Sequence, residues 1–160
     1  MRNFEFGHEG KKYWYSRSVA VLGLVVGTDE QNNVYVLANK RGENTPDYQG
    51  CWCMPCGFVD FNETLEQAIT REIFEETGVE IDYTKLYFHG INSIPEGSQT
   101  ITIRFKIHLN NISKYKLTNK YSDDGEVDEV KWISIHDIDK YDWAFNHHKL
   151  INEFILNKEK

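Results

Sequence analysis

Cysteine is scarce in this chain, basic residues are outnumbered, and long hydrophobic runs are missing. The three cysteines, Cys51, Cys53 and Cys56, are an odd number crowded into one short stretch, which excludes a disulfide framework. Their C-x-C-x-x-C spacing lacks a fourth ligand nearby, so it reads as small side chains on a strand and turn rather than a closed zinc site. Lys and Arg total 18 against 25 Asp and Glu, a net charge of −7 that argues against a nucleic-acid backbone as partner. A small phosphorylated ligand brought in with a metal ion stays compatible with that charge. No apolar run approaches the roughly 20 residues of a membrane span, and MRNFEFGHEGKKYW lacks a signal-peptide core. A cytoplasmic protein with no membrane partner is therefore expected. Internal repeats and low-complexity tracts are absent from the sequence too.

What is there suits one core. At 160 residues a single domain over 1–160 is expected. Residues 1–16 read as an aromatic hairpin with a Gly-bounded turn. Its Tyr13, Trp14 and Tyr15 suit packing on a sheet edge, and the hairpin would also suit a homodimer. Val19 to Val26 is nearly continuously apolar, as in a central strand buried on both faces. Val34 to Ala38 returns as a strand ending in Lys40 and Arg41, and Arg41 is a candidate for meeting substrate phosphate. Gly42 to Gly50 is a loop by composition, and Trp52 to Pro55 leads out of it. Tyr87 to Ile94, a turn at Pro95-Glu96-Gly97, and Thr100 to Leu109 follow. In the last of these, Ile101, Ile103, Phe105, Ile107 and Leu109 alternate with Thr102, Arg104, Lys106 and His108, so Arg104 projects from the polar face as a candidate cleft residue. A long loop, Asn110 to Gly125, precedes an acidic run and the strand Val130 to Ile133. Ile135 to Lys160 reads as helical, with Leu150, Ile151, Phe154 and Ile155 as its apolar stripe. His147 and His148 are adjacent, so they cannot share a helix face as a metal pair would, and a surface or cleft-rim position is expected.

The stretch around which this is organised is GFVDFNETLEQAITREIFEETGV, Gly57 to Val79. Thr64 and Gln67 form a capping box, Gly78 suits a left-handed helix end, and Leu65, Ala68, Ile69 and Ile73 mark a packed face. On an adjoining side, Glu72, Glu75 and Glu76 fall three and four positions apart. Like charges at that spacing cost a helix roughly 0.2–0.5 kcal/mol per pair, so a cation between them is expected. Hard oxygen donors favour Mg2+ or Mn2+ over zinc.

These residues resemble the Nudix box, G-x5-E-x7-R-E-U-x-E-E-x-G-U with U apolar, filled at every specified position from Gly57 through Glu63 and Arg71 to Val79. The irregular alternation of strands and helices fits an α/β fold with a mixed sheet, and the resemblance makes it a Nudix-type α/β/α sandwich. It also implies Mg2+-dependent hydrolysis of a nucleoside diphosphate derivative by water attacking phosphorus. Carried over, Glu72, Glu75 and Glu76 are metal ligands, Glu72 and Glu76 are catalytic, Arg71 braces the carboxylates, and Glu63 supports the loop before the helix. In relatives of this type a further glutamate joins the metal site or acts as base. Glu126 is the choice here, with Glu129 second. Gly57 is a candidate substrate contact, although Cys56 stands where many members carry a second glycine, which narrows the approach of backbone to phosphate. Ala144-Phe145-Asn146-His147 resembles an Ala-Phe-Asp-His run of Nudix-type domains that handle ADP-ribose. ADP-ribose or a nucleotide sugar is accordingly favoured over a (d)NTP. A non-catalytic nucleotide or ADP-ribose sensor is the rival from another class, set back by the complete box and the missing basic patch.

Overall fold

The computed structural model describes residues 3–95 and 99–158, with side chains through Phe154. The Pro95-Glu96-Gly97 turn lies partly outside the described residues, and the Ile155 side chain lies outside them.

The chain opens with β1 (Phe4–His8) and β2 (Lys11–Tyr15). Glu9 and Gly10 join them with φ of 49° and 76°, the two left-handed residues a tight two-residue hairpin needs. Phe4 stacks on Tyr15 at 5.0 Å and Phe6 on Tyr13 at 5.5 Å. The expected packing on the sheet edge is not found. The hairpin is a separate two-stranded sheet with Trp14 70% exposed, because its rings pair across the hairpin.

The main sheet is built on β3 (Val19–Thr28), which pairs with β4 (Val34–Arg41). Two short strands follow, β5 (Trp52–Cys53) and β6 (Cys56–Phe58), then helix α1 (Leu65–Thr77), β7 (Tyr87–Asn92), β8 (Ile101–Asn110), β9 (Val127–Ser134) and helix α2 (His147–Lys158). The order is β5-β4-β3-β8-β7, with β6 on β3 and β9 on β4. Only β3 and β8 run parallel, in register from Val19↔Ile101 to Thr28↔Asn110, so the sheet is mixed. Alternate residues of β3 face opposite ways. Val21 and Val25 join Ile69 and Ile73 of α1, whereas Leu22, Leu24 and Val26 join Trp52, Met54, Ile151 and Phe154 on the α2 side. The result is the expected α/β/α sandwich.

One irregularity of this sheet prepares the site. β4 and β6 share the same edge of β3, β4 at Val26–Thr28 and β6 at Ala20–Leu22. Between them the sheet opens, and Gly23 N donates to Pro55 O there at 2.9 Å. Asn39 and the Pro55–Gly57 turn meet α1 at that split.

The C-terminal segment departs from its reading. Helix begins only at His147, and residues 135–146 hold a 3-10 turn at Ile138–Lys140 and a parallel bridge from Trp143 to Trp52. Trp52 N donates to Asp142 O and Ala144 N to Trp52 O, both at 2.8 Å, so sheet pairing overrides local helix preference. Among the described residues, no helix is long and apolar enough to cross a membrane.

Candidate functional site

Helix α1 is fixed at both ends by its own sequence. Gln67 N donates to Thr64 Oγ1 at 3.2 Å, and Thr64 N donates to Gln67 Oε1 at 2.8 Å. Gly78, at φ 73°, closes the helix by donating to Phe74 O at 2.8 Å. With ends and packed face fixed, Arg71, Glu72, Glu75 and Glu76 have no rotational freedom about the helix axis.

Arg71 organises the outer part of the site. Its Nε and Nη2 donate to Glu63 at 3.1 and 2.8 Å, Nη2 to Phe58 O at 3.0 Å, and Nη1 to both Glu72 Oε1 at 2.8 Å and Glu75 Oε2 at 3.0 Å. Glu63 also accepts from Asp60 N at 2.7 Å, tying the loop before the helix. The guanidinium holds the Glu63 carboxyl below the usual range, and Glu63 in turn raises the arginine.

Glu76 lies deeper. It is 4% exposed, and its Oε2 accepts from Asn39 Nδ2 at 2.8 Å and Cys56 N at 3.0 Å. Asn39 accepts in turn from the Cys53 thiol at 2.8 Å. Burial drives the Glu76 pKa well up, and the neighbouring Cys56, Glu72 and Glu126 add to the rise. Glu72 is pushed up to about 7 by burial, against the pull of Arg71 and with further push from Glu75 and Glu126. A Cβ on Gly57 would overlap the Glu72 carboxylate, so any larger residue there must displace it. The three cysteines are free thiols, and a hydrogen bond with Cys53, then burial, raises Cys56.

A divalent ion can be tested against this arrangement. The donors are hard oxygens, and two of the carboxylates are buried where charge without a cation is costly, which suits Mg2+ or Mn2+. Among the described residues, however, no three such side chains converge as they stand. Arg71 Nη1 holds Glu72 and Glu75 together, while Glu76 is bonded to Asn39 and Cys56 N. An ion held here would take the place of part of the Arg71 contact.

The structure thus brings together Arg71, Glu72, Glu75, Glu76, Gly57 and Glu126. Glu126 lies near enough for its charge to raise Glu72 and Glu76, and its backbone is tied to the end of β4, where Gly42 N donates to its carbonyl at 2.7 Å. Glu129 is turned away and paired with Lys131 at 2.9 Å. Arg41 and Arg104 both lie near His147, close enough for their charges to act on it. The surface or rim position expected for His147 is not found. It is 4% exposed, because its Nδ1 accepts from Met54 N at 3.0 Å and so anchors the turn carrying Cys56 and Gly57. His148 is the exposed one, 2.7 Å from Asp139. Burial first, then Arg41 and Arg104, lowers the His147 pKa to about 3. The folded value is below the unfolded one, so stability is lost as pH falls from about 6.5 towards 3. Replacing His147 with Gln is expected to flatten that loss between pH 6.5 and 4.5, read from melting curves. An unchanged slope would contradict the buried neutral imidazole. Sequence reasoning misplaced His147 and missed Asn39. Asn39 carries no local signal, because its importance comes from the split edge of β3.

A family model described as the NUDIX domain matches residues 16–154. The chain belongs to the Nudix family. This Nudix protein is 30% identical over 147 residues to the ADP-ribose pyrophosphatase of Methanocaldococcus jannaschii, across 91% of this chain and 78% of that one. The NUDIX domain of Shewanella oneidensis NrtR, complexed with ADP ribose, matches at TM-score 0.72 and 23% identity over 89% of each chain. A bifunctional NMN adenylyltransferase/ADP ribose pyrophosphatase of Francisella tularensis, complexed with AMP and a Mn ion, matches at 0.71 and 24%, over 88% of this chain and 42% of that one. These last two share the fold. The Nudix chain spans 39 to 42% of the length of several other curated relatives. Its family places it among hydrolases of phosphorus-containing acid anhydrides.

Proposed function

We propose that this Nudix protein is a divalent-metal-dependent pyrophosphohydrolase that cleaves the diphosphate of ADP-ribose or a closely similar nucleoside diphosphate derivative. One observation carries the reading. Two carboxylates, buried Glu76 and half-buried Glu72, lie near Glu126 at a split in the sheet, with both pKa values raised and, among the described residues, only Arg71 as a cation hydrogen-bonded to either. The 30% identity to an ADP-ribose pyrophosphatase supports the choice of substrate.

Glu72, Glu75 and Glu76 would hold Mg2+ or Mn2+, which when bound neutralises diphosphate charge and readies water for attack. The remaining work falls to the chain. Arg71 keeps Glu72 and Glu75 from springing apart, and Asn39 with Cys56 N orients Glu76. Arg41 and Arg104 take phosphate oxygens. Glu126 accepts the proton of the attacking water as its oxygen bonds to phosphorus. The bridging P–O bond breaks, and the products are AMP and ribose 5-phosphate.

The test is a hydrolysis screen with Mg2+, Mn2+ or EDTA over ADP-ribose, nucleotide sugars and nucleoside triphosphates. Metal-dependent release of AMP and ribose 5-phosphate is expected. Tight ADP-ribose binding without products would support a sensor instead, and preference for a triphosphate would move the substrate reading.

A further inference from the structure

The thiols beside the acidic site have no chemical role in either the fold or the hydrolysis. Cys53 closes β5 opposite Asn39 and Cys56 opens β6 opposite Leu22, so Met54 and Pro55 form a turn between two short strands across the split. That turn is pinned at both of its residues. Met54 N donates to His147 Nδ1 at 3.0 Å, and Gly23 N donates to Pro55 O at 2.9 Å. The cysteine side chains on either side of it meet, the Cys56 thiol being hydrogen-bonded with that of Cys53. Their C-x-x-C spacing is the one that lets two thiols close into a ring and open again.

Packing alone does not account for the pair. Cys53 is buried, whereas Cys56 is only half-buried and so within reach of a small reagent. Both bear on Glu76. The Cys53 thiol donates to Asn39 Oδ1 at 2.8 Å, Asn39 Nδ2 donates to Glu76 Oε2 at 2.8 Å, and Cys56 N donates to the same oxygen at 3.0 Å. A hydroxyl would serve Asn39 better than the weak S–H donor, so what distinguishes cysteine here is its sulfur chemistry. The odd cysteine count excludes a structural framework of disulfides, not a reversible pair.

We propose that Cys53 and Cys56 are a reversible disulfide site that controls the metal-holding carboxylate Glu76. The oxidant is a low-molecular-weight disulfide. Cys56 gives up its proton and attacks one sulfur of the reagent, which releases one reduced thiol and leaves a mixed disulfide. Cys53 then loses its proton and attacks the Cys56 sulfur, the Cys53–Cys56 bond forms, and the second thiol leaves. Two electrons and two protons pass from the pair to the reagent. With the turn pinned at Met54 and Pro55, closing the ring moves the side-chain ends. Cys53 no longer has a proton to donate, Asn39 loses the contact that orients its amide, and Glu76 is aimed less firmly. Loss of a group that orients a metal ligand costs about 10–100-fold in metal affinity or activity. The control rests on the metal role proposed above for Glu76; formation of the disulfide does not.

Wild type, Cys51→Ser and Cys53→Ser, incubated with oxidised glutathione and then freed of it, test the site. The incubation is long and mildly alkaline, because burial and the Cys53 contact keep the Cys56 thiol protonated. Cyanogen bromide cuts after Met54 and leaves Cys53 and Cys56 on separate fragments, which only a disulfide holds together. The wild type and Cys51→Ser are expected to give linked fragments and to bind Mn2+ about 10–100-fold more weakly than before treatment, with ADP-ribose turnover down by a similar factor and dithiothreitol restoring both. Cys53→Ser keeps a donor to Asn39 but cannot form the bond, so its Mn2+ affinity and rate should be the same before and after treatment. Separate fragments from treated Cys51→Ser, linked fragments with Mn2+ affinity and turnover unmoved, or an equal loss in Cys53→Ser overturns the switch. If the reduced protein binds Mn2+ but does not hydrolyse ADP-ribose, linked fragments with weakened Mn2+ binding uphold the switch while the substrate reading fails. If the reduced protein binds no Mn2+, both fail.

Discussion

Glu76→Gln is expected to lower turnover at least about a hundredfold while making the metal-free protein more stable above neutral pH. Loss of a group that merely orients a metal ligand costs 10–100-fold, so loss of a ligand costs at least the upper end of that range. The amide keeps an oxygen able to accept from Asn39 and Cys56, so the local frame survives. The stability gain follows from linkage. The folded pKa of Glu76 is raised above its unfolded value near 4.5, so the native state holds a proton that the unfolded state releases. Its stabilising effect is complete below about 4.5 and is lost as pH climbs towards the folded pKa. Glutamine has no charge to bury and escapes that loss. In EDTA the variant should be more stable than the wild type at pH 8, with the gap closing towards pH 5. Melting curves at the two pH values read it, and a variant less stable at pH 8 would contradict the buried-carboxylate account.

Arg71→Ala is expected to be the most damaging single change to stability. It removes donors to Glu63, Glu72, Glu75 and the Phe58 carbonyl at once, leaving three carboxylates close together without their countercharge. Breaking a fully buried pair costs about 3–5 kcal/mol. The Arg71 side chain is 27% exposed, so solvent screens part of this and about 2–4 kcal/mol is expected, or roughly 5–15 °C in Tm. Lysine should not rescue it, because the contacts use Nε, Nη1 and Nη2 in a fixed fork that one ammonium cannot reproduce. Added Mn2+ should return part of the lost stability, since a cation again sits among the carboxylates. A Tm within a degree or two of the wild type would show that this network is a solvated surface feature.

The helix that carries these residues was legible because its signals are local. Thr64 and Gln67 cap it, Gly78 ends it, and Ile69 and Ile73 set its buried side, so the facing of Glu72 and Glu76 followed from spacing alone. Glu126 was singled out through the family resemblance, and it lies near enough to Glu72 and Glu76 for its charge to raise both. What the sequence could not show depends on contacts between distant segments. The parallel pairing of β3 with β8 and the split that exposes Asn39 to Glu76 have no local signature. Residues 135–146 carry a helical pattern, yet Trp143 pairs with Trp52, and His147 is drawn inward to meet the Met54 amide. The hairpin's aromatics gave the right strands but the wrong packing, since rings paired within a hairpin look the same in sequence as rings that cover an edge. The hold of Arg71 on Glu72 and Glu75 together was also hidden, because helical spacing gives proximity but not the direction of a flexible guanidinium.

Mn2+ titration followed by electron paramagnetic resonance, with the wild type and with Glu72→Gln/Glu76→Gln, tests the central claim most directly. The wild type is expected to bind Mn2+ and to bind it more tightly with ADP-ribose present. The double variant should lose that binding while keeping its fold. Equal Mn2+ binding by the double variant, or ADP-ribose hydrolysis at full rate in EDTA, would contradict a metal site built on these carboxylates.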